Sequence, residues 1–288
     1  MPQQAPASPT VLRIILGRQL QELRDKAGMS CEQAAGAIYT SEWTLRRMEK
    51  AEVSFKLNYI KSLLITYGIT DTREIDAFLG LAREANKPGW WHSYTDILPA
   101  WFRVFPGLEQ AAALIRGYEP QCVPGLLQTR GYAHALATAG YPQATPAQTS
   151  RRVELRMARQ QILAGDDAPQ LWAILDEAAI HRVVGGKAVM QAQLLHLADS
   201  AIGGKITVQV LPFGAGPHPG QAGPFIILGF AELTEPEVVY METVGGNLYV
   251  DKPEEVKLFT TVFDQLRAVA LSPAQSAAML QALAGELG

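Results

Sequence analysis

Cysteine is nearly missing from this chain. Its 288 residues hold two, Cys31 and Cys122, far apart and without the paired spacing of a metal site. A disulfide scaffold is excluded, and the pair reads as two reduced thiols in a cytoplasmic protein. Charge is sparse as well. Charged residues make up 18% and the net charge is −3, so the molecule as a whole is no polyanion binder and any basic site is local. No stretch approaches the roughly 18 uninterrupted apolar residues of a membrane span. The opening MPQQAPASPT lacks the basic and apolar segments of a signal peptide, and residues 1–10 read as a disordered tail. Apolar material, by contrast, is plentiful at 48%, and the length suits about two domains with cores of their own.

The charge divides unevenly. Residues 1–70 hold 9 Lys and Arg against 6 Asp and Glu; the remainder holds 16 against 22. A small basic module joined to a larger acidic one fits this split. Residues 11–87 read as about five consecutive helices. Leu12, Leu16, Leu20, Leu23 and Ala27 recur at steps of three and four, and Gly28 ends that helix. Ser30 with Gln33 forms a capping box for the second helix, whose inner face is Ala34, Ala35 and Ile38. After a break at Tyr39-Thr40, Ser41 caps a third helix that turns Leu45 and Met48 inward. Leu57, Ile60, Leu63 and Leu64 mark a fourth helix. Asp71, followed by Glu74, opens a fifth. Asn86-Lys87-Pro88-Gly89 closes the region, and the domain boundary is placed there.

Residues 88–288 read as a mixed α/β domain with a small sheet. An aromatic stretch (Trp90, Trp91, Tyr94, Trp101, Phe102, Phe105) comes first. Helices are expected at 129–139, 148–164 and 187–200, and strands at 171–175, 206–211, 225–230 and 238–241. Asp251-Lys252-Pro253-Glu254 and Ser272-Pro273-Ala274-Gln275 look like capping boxes with proline at the first helical position.

The first region has the layout of a helix-turn-helix, in which the start of the third helix enters the major groove of DNA. With Leu45 and Met48 inward, Glu42, Trp43, Thr44, Arg46 and Arg47 face out. An arginine reads guanine with two hydrogen bonds, Glu42 is able to accept from a cytosine amine, and Trp43 suits a sugar or a thymine methyl. Lys50 and Lys56 lie where phosphate contacts are expected. The plainer reading is an ordinary helical bundle with a charged exposed face.

The segment LGRQLQELRDKAGMSCEQAAGAIYTSEWTLRRMEKAE resembles the Cro-repressor-type helix-turn-helix family, also called the xenobiotic-response-element family. The matching features are Leu16-Gly17, Leu20, Leu23-Arg24, Gly28-Met29-Ser30, Glu32 to Ala35 and Leu45 to Glu49. The resemblance implies double-stranded DNA as a partner, most simply a palindromic operator bound by a homodimer. Base contacts then fall on Glu42, Trp43 and Arg47, with Gln33, Ser41, Thr44, Arg46 and Lys50 completing the interface. It also implies that Glu49 is a structural acid paired internally with Arg18 or Arg24. The family usually has glycine where this chain has Tyr39. Either that residue takes a positive φ at a cost of about 1 kcal/mol or more, or the turn is remodelled.

Residues 90–285 resemble the domain of unknown function that follows this kind of helix-turn-helix in many actinobacterial regulators, of the type tied to Streptomyces-like development. The runs that carry this include Trp90-Trp91, Tyr118-Glu119-Pro120, Val123 to Thr129, Leu175-Asp176-Glu177, Val208 to Phe213 and Tyr240-Met241-Glu242. Such a regulator is expected to receive a small-molecule or protein signal in its second domain. The resemblance adds a small acidic protein encoded next door as a further partner. An antitoxin-like protein that sequesters a small partner and autoregulates its operon is the alternative; an enzyme with a DNA-targeting module is a third.

No catalytic motif is present, and no catalytic residue, cofactor or metal is expected. Glu177 and His181, four apart, suit a surface ion pair better than a metal. His218 sits in a glycine-rich loop at 212–224 that is either a pocket rim or a connector. Arg152, Arg156 and Arg159 form a cationic stripe that either binds an anion or pairs with carboxylates such as Asp176 or Glu177. Trp90, Trp91, Tyr94 and Trp101, with Tyr118, Glu119 and Gln128 as polar handles, either line an effector or partner site, for which His218 is also a candidate, or clamp the domains together.

Overall fold

The computed structural model describes residues 9–200, 204–230 and 237–288. The chain folds as two compact units. The first comprises residues up to Ser93 together with Val104–Ala111; the second comprises Tyr94–Arg103 and Ala112–Gly288. The expected boundary at 87–88 lies near the first crossing, but the backbone changes unit three times, at 93–94, 103–104 and 111–112.

The first unit contains α1 (Pro9–Lys26), α2 (Cys31–Ala37), α3 (Glu42–Glu49), α4 (Leu57–Thr66), α5 (Thr72–Ala85) and α6 (Phe105–Ala111). Residues 1–8 of the expected tail lie outside the described residues. Its last two, Pro9 and Thr10, are instead the first turn of α1, and Thr10 is buried. The core gathers Leu16 and Leu20 from α1, Ala34 and Ala35 from α2, Leu45 and Met48 from α3, and Ile60, Leu63 and Leu64 from α4. The small alanines let α2 lie close to its neighbours. α6 completes the unit by lying against Thr10 and Trp91. Arg13 of α1 donates to the Ala85 carbonyl at the end of α5 (2.9 and 3.1 Å).

Gly17 sets the approach of α1 to α3. A Cβ there would sit 2.4 Å from the backbone oxygen of Glu49 and 2.9 Å from that of Met48. Neither atom is a flexible side-chain end, so an added methyl forces the helices apart. Overpacking of this kind costs about 1–3 kcal/mol. Gly17→Ala is therefore expected to lower the denaturation midpoint of the first unit. An unchanged midpoint would show that α3 is not seated through this contact.

The second unit carries β1 (Leu114–Glu119), α7 (Arg130–Gly140), α8 (Pro146–Gln160), β2 (Gln170–Asp176), α9 (Glu177–His181), α10 (Lys187–Ser200), β3 (Ile206–Leu211), β4 (Phe225–Gly229), β5 (Glu237–Thr243), β6 (Gly246–Val250), α11 (Pro253–Val269) and α12 (Pro273–Leu287). The strands form one mixed sheet in the order β3-β2-β1-β4-β5-β6. β1, β2 and β3 are parallel, joined by helical crossovers; β4, β5 and β6 run antiparallel. Tyr118, Phe225, Ile227 and Val239 point to one face, where Val256, Phe263 and Leu266 of α11 cover them.

Two strands go beyond the sequence expectation, β1 and β6. Arg116-Gly117 interrupts the apolar pattern of β1, and Gly246-Asn247 reads as a turn at the start of β6. Arg116 is tolerated because it pairs with Glu237 and lies over the Phe263 ring. One smaller expectation is corrected. α11 begins at Pro253, but its cap residue is Lys252, which makes no side-chain capping bond; the Asp251 box does not form. On α12, Ala277, Leu280 and Ala284 are buried, and Gln191 of α10 donates to the Ala284 carbonyl.

Candidate nucleic-acid interface

The helix-turn-helix is assembled by local bonds. Ser30 accepts from the Gln33 amide (3.1 Å) and Gln33 Oε1 accepts from the Ser30 amide (2.8 Å), closing the expected capping box on α2. Ser41 accepts from the Thr44 amide (3.2 Å) and its hydroxyl meets that of Thr44 at 2.9 Å, fixing the start of α3. Between them, Tyr39 amide donates to Gly36 and Thr40 amide to Ala35, a Schellman ending of α2. Tyr39 takes φ +52° there, so the left-handed alternative is the one this turn adopts.

α3 is held from behind. Leu45 and Met48 are buried, and Glu49 forms a two-pronged bond with Arg24 of α1, Nε to Oε1 at 2.7 Å and Nη2 to Oε2 at 3.1 Å. Of the two arginines anticipated for Glu49, this is Arg24. The bond pushes the Arg24 pKa still higher, keeping its charge permanent.

The outer row of α3 is preorganised by its own side chains. Arg46 Nε donates to Glu42 (2.8 Å), one turn away. The Arg47 guanidinium lies 4.4 Å above the Trp43 ring and reaches Glu52 at 3.2 Å. Trp43 is 66% exposed. Lys50 caps the end of the helix in the open, and Lys56 starts α4 with its ammonium 5.0 Å from the Tyr59 ring. Exposed pairs of this kind are worth about 0–1 kcal/mol, so a phosphate or a base edge displaces them at little cost. Gln33 is engaged through its carbonyl oxygen and keeps its amide nitrogen for another acceptor. Gln33, Ser41, Glu42, Trp43, Thr44, Arg46, Arg47 and Lys50 thus all belong to α2, α3 and their caps.

The eight residues singled out for an effector or partner fall in several places. Trp90 and Trp91 belong to the first unit; Trp91 is buried edge-on to Trp90 (5.9 Å), whose indole nitrogen donates to Gln110 (3.1 Å). In the second unit, the Arg151 guanidinium lies 5.3 Å from the Tyr94 ring, and the Trp101 carbonyl accepts from Asn247 (2.9 Å). Gln128 is buried and donates to the Val123 carbonyl at 2.6 Å.

Tyr118 and His218 do come together. Their rings are 5.8 Å apart, and Asp176 receives the Tyr118 hydroxyl at 3.2 Å with His218 Nε2 at 3.8 Å. Burial, then Asp176, push the Tyr118 phenol pKa up. Next to it on the strand, Glu119 points to the opposite face of the sheet. Burial first, then Glu242, push its carboxyl up to about 8, against the opposing charges of Arg156 and Arg159. Both arginines lie against Gly125, and Arg159 also stands 5.2 Å over Phe102. Arg152 instead donates to the Ile97 carbonyl (2.5 Å). The stripe on α8 thus works near Glu119, Phe102 and Ile97. Asp176 caps α9 through the Ala178 amide, and Glu177 meets His181 and the Phe213 amide. Glu242 is legible in the sequence only as the end of the Tyr240-Met241-Glu242 run, because nothing local marks a carboxylate that acts on a neighbouring strand.

A family model described as a helix-turn-helix domain matches residues 15–78, and one described as Domain of unknown function (DUF5753) matches residues 102–282. No curated protein and no solved structure matches the chain. Among the described residues, no helix is long and apolar enough to cross a membrane.

Proposed function

We propose that this chain, which belongs to the DUF5753 family and carries a helix-turn-helix domain ahead of it, is a sequence-specific DNA-binding transcription regulator whose second unit receives a signal. One observation carries the reading. α3 is fastened from behind by Leu45, Met48 and the Glu49–Arg24 pair, while Glu42, Trp43, Arg46, Arg47 and Lys50 stand outward on it. A helix fixed so rigidly on one side and so polar on the other suits insertion into a major groove. The helix-turn-helix domain likewise favours a regulator over an enzyme.

A single reading helix contacts few bases. The proposal therefore includes a cytoplasmic homodimer on a palindrome, its half-sites about 34–36 Å apart. The incoming signal is either a small molecule or a small acidic protein. Glu119, with the charges of Glu242, Arg156 and Arg159 acting on it, supports the former as a cluster of charged groups in the second unit.

The test is immunoprecipitation of the protein with genomic DNA, followed by a shift assay on the recovered fragment. Arg47→Ala removes a partly exposed side chain whose contacts are the exposed Trp43 and Glu52, so folding is retained. Loss of a base contact worth about 1–3 kcal/mol lowers specific affinity by roughly 10- to 100-fold. Specific binding at the wild-type level would remove Arg47 from the reading surface. Affinity is also expected to fall steeply as salt rises, because neutralised phosphates release counterions.

A further inference from the structure

Four successive helices of the first unit end in the same way. After α1, Gly28 amide donates to Asp25 and Met29 amide to Arg24. After α4, Gly68 donates to Ile65 and Ile69 to Leu64. After α2 and α3, the same pair of bonds is made by Tyr39 with Thr40 and by Ala51 with Glu52. Each ending puts one residue in the left-handed region: Gly28 at φ +66°, Gly68 at +91°, Tyr39 at +52° and Ala51 at +59°. Glycine takes that conformation without strain; an L side chain does not. The chain thus uses glycine at two of these positions and departs from it at the two that flank α3.

Ala51 brings only a methyl, on a half-buried residue. Tyr39 brings a large ring that is 96% exposed, and its ring and hydroxyl have no partner among the described residues. Nothing among the described residues repays the strain at Tyr39. The side chain stands in the turn two residues before the Ser41 cap, where the chain enters α3. A phenol there offers a hydroxyl to a phosphate oxygen and a ring face to a sugar, contacts that position a protein on a duplex without reading its sequence.

We propose that Tyr39 is a contact to the DNA backbone, held out from the turn at the expense of folding stability, beside the bases that α3 reads. The inference rests on the DNA-binding reading above and extends its surface from the helix into the turn.

The experiment uses the full chain and the genomic fragment recovered by immunoprecipitation, with a scrambled duplex of equal length. Tyr39→Gly is expected to slow hydrogen exchange of the α2 and α3 amides, since strain is relieved. It is also expected to weaken binding about tenfold on both duplexes, because a backbone contact is not sequence-selective. Tyr39→Phe keeps the ring and should lose part of that affinity; wild-type binding by this variant would overturn the phosphate bond. Ala51→Gly is the control, expected to gain protection with affinity unchanged. Tyr39→Gly binding as tightly as the wild type would overturn the proposal. So would an equal loss in Ala51→Gly, which would trace the effect to the relaxed helix ends. If the wild type itself prefers no fragment, the DNA-binding reading fails first, and the two failures remain distinct.

Discussion

Glu49→Ala is expected to destabilise the first unit by about 3–5 kcal/mol, because it strands the Arg24 guanidinium inside the protein. The side chains of Arg24 and Glu49 are only 12% and 6% exposed. Their two bonds tie α1 to the end of α3, and Arg24 also reaches the Met29 carbonyl at 3.1 Å. Removing the carboxylate leaves a charge that cannot deprotonate, with the exposed Asp25 and the Met29 carbonyl to meet one of its nitrogens and its Nε and Nη2 left without Glu49. The loss is visible in denaturant unfolding of the full chain, and with it goes DNA binding, since α3 loses its fastening. The companion change Arg24→Met with Glu49→Leu replaces both charges by apolar groups. It should restore most of the stability, as buried pairs often exchange for hydrophobic packing at little cost. Equal damage from the single and double variants would mean that the pair matters through hydrogen-bond geometry other than charge compensation.

The second large effect is a dependence of stability on pH carried by Glu119. Its carboxyl ordinarily titrates near 4.5 and is pushed up to about 8 in the folded chain. Between those values the folded state binds a proton that the unfolded state has released. Stability therefore falls as pH rises through this window, and its protonated advantage is complete only below it. Each unit of displacement corresponds to about 1.36 kcal/mol, which bounds the effect at about 5 kcal/mol. The residue is half-buried, so a measured change of about 2 kcal/mol between pH 5 and pH 8 is the realistic expectation. Glu119→Gln carries no ionisable proton. Its denaturant midpoint should vary less over the same range, and at pH 8 the variant should be the more stable protein. Parallel pH profiles for the two proteins would assign the burial of Glu119 to something other than an uncompensated charge.

Local signals were the readable ones. Ser30 with Gln33, Ser41, Asp71 and Ser272 each cap a helix as their spacing indicates, because a cap is settled within four residues. The inward set Leu45 and Met48 follows from helical period alone, and so does the outward set that makes α3 a candidate for DNA. What escaped depends on neighbours far along the chain. β1 hides behind Arg116, whose pairing partner Glu237 is 121 residues away. Tyr118 and Glu119 looked like two handles of one site, yet strand alternation sends them to opposite faces of the sheet. Tyr118 then meets His218 and Asp176, and Glu119 meets the arginines of α8. The aromatic run at 90–105 is likewise divided, Trp90 and Trp91 going to one unit and Tyr94 and Trp101 to the other.

That division decides how such a protein comes apart. Because residues 94–103 count with the second unit and α6 returns to the first, no single cut in the backbone releases either one whole. A protease that nicks the chain at 93–94 leaves the DNA-facing half without α6, which lies over Thr10 and Trp91. The two units cannot be exchanged at one clean junction: a chimera that replaces the second must replace residues 94–103 and 112–288 and leave 104–111 with the first.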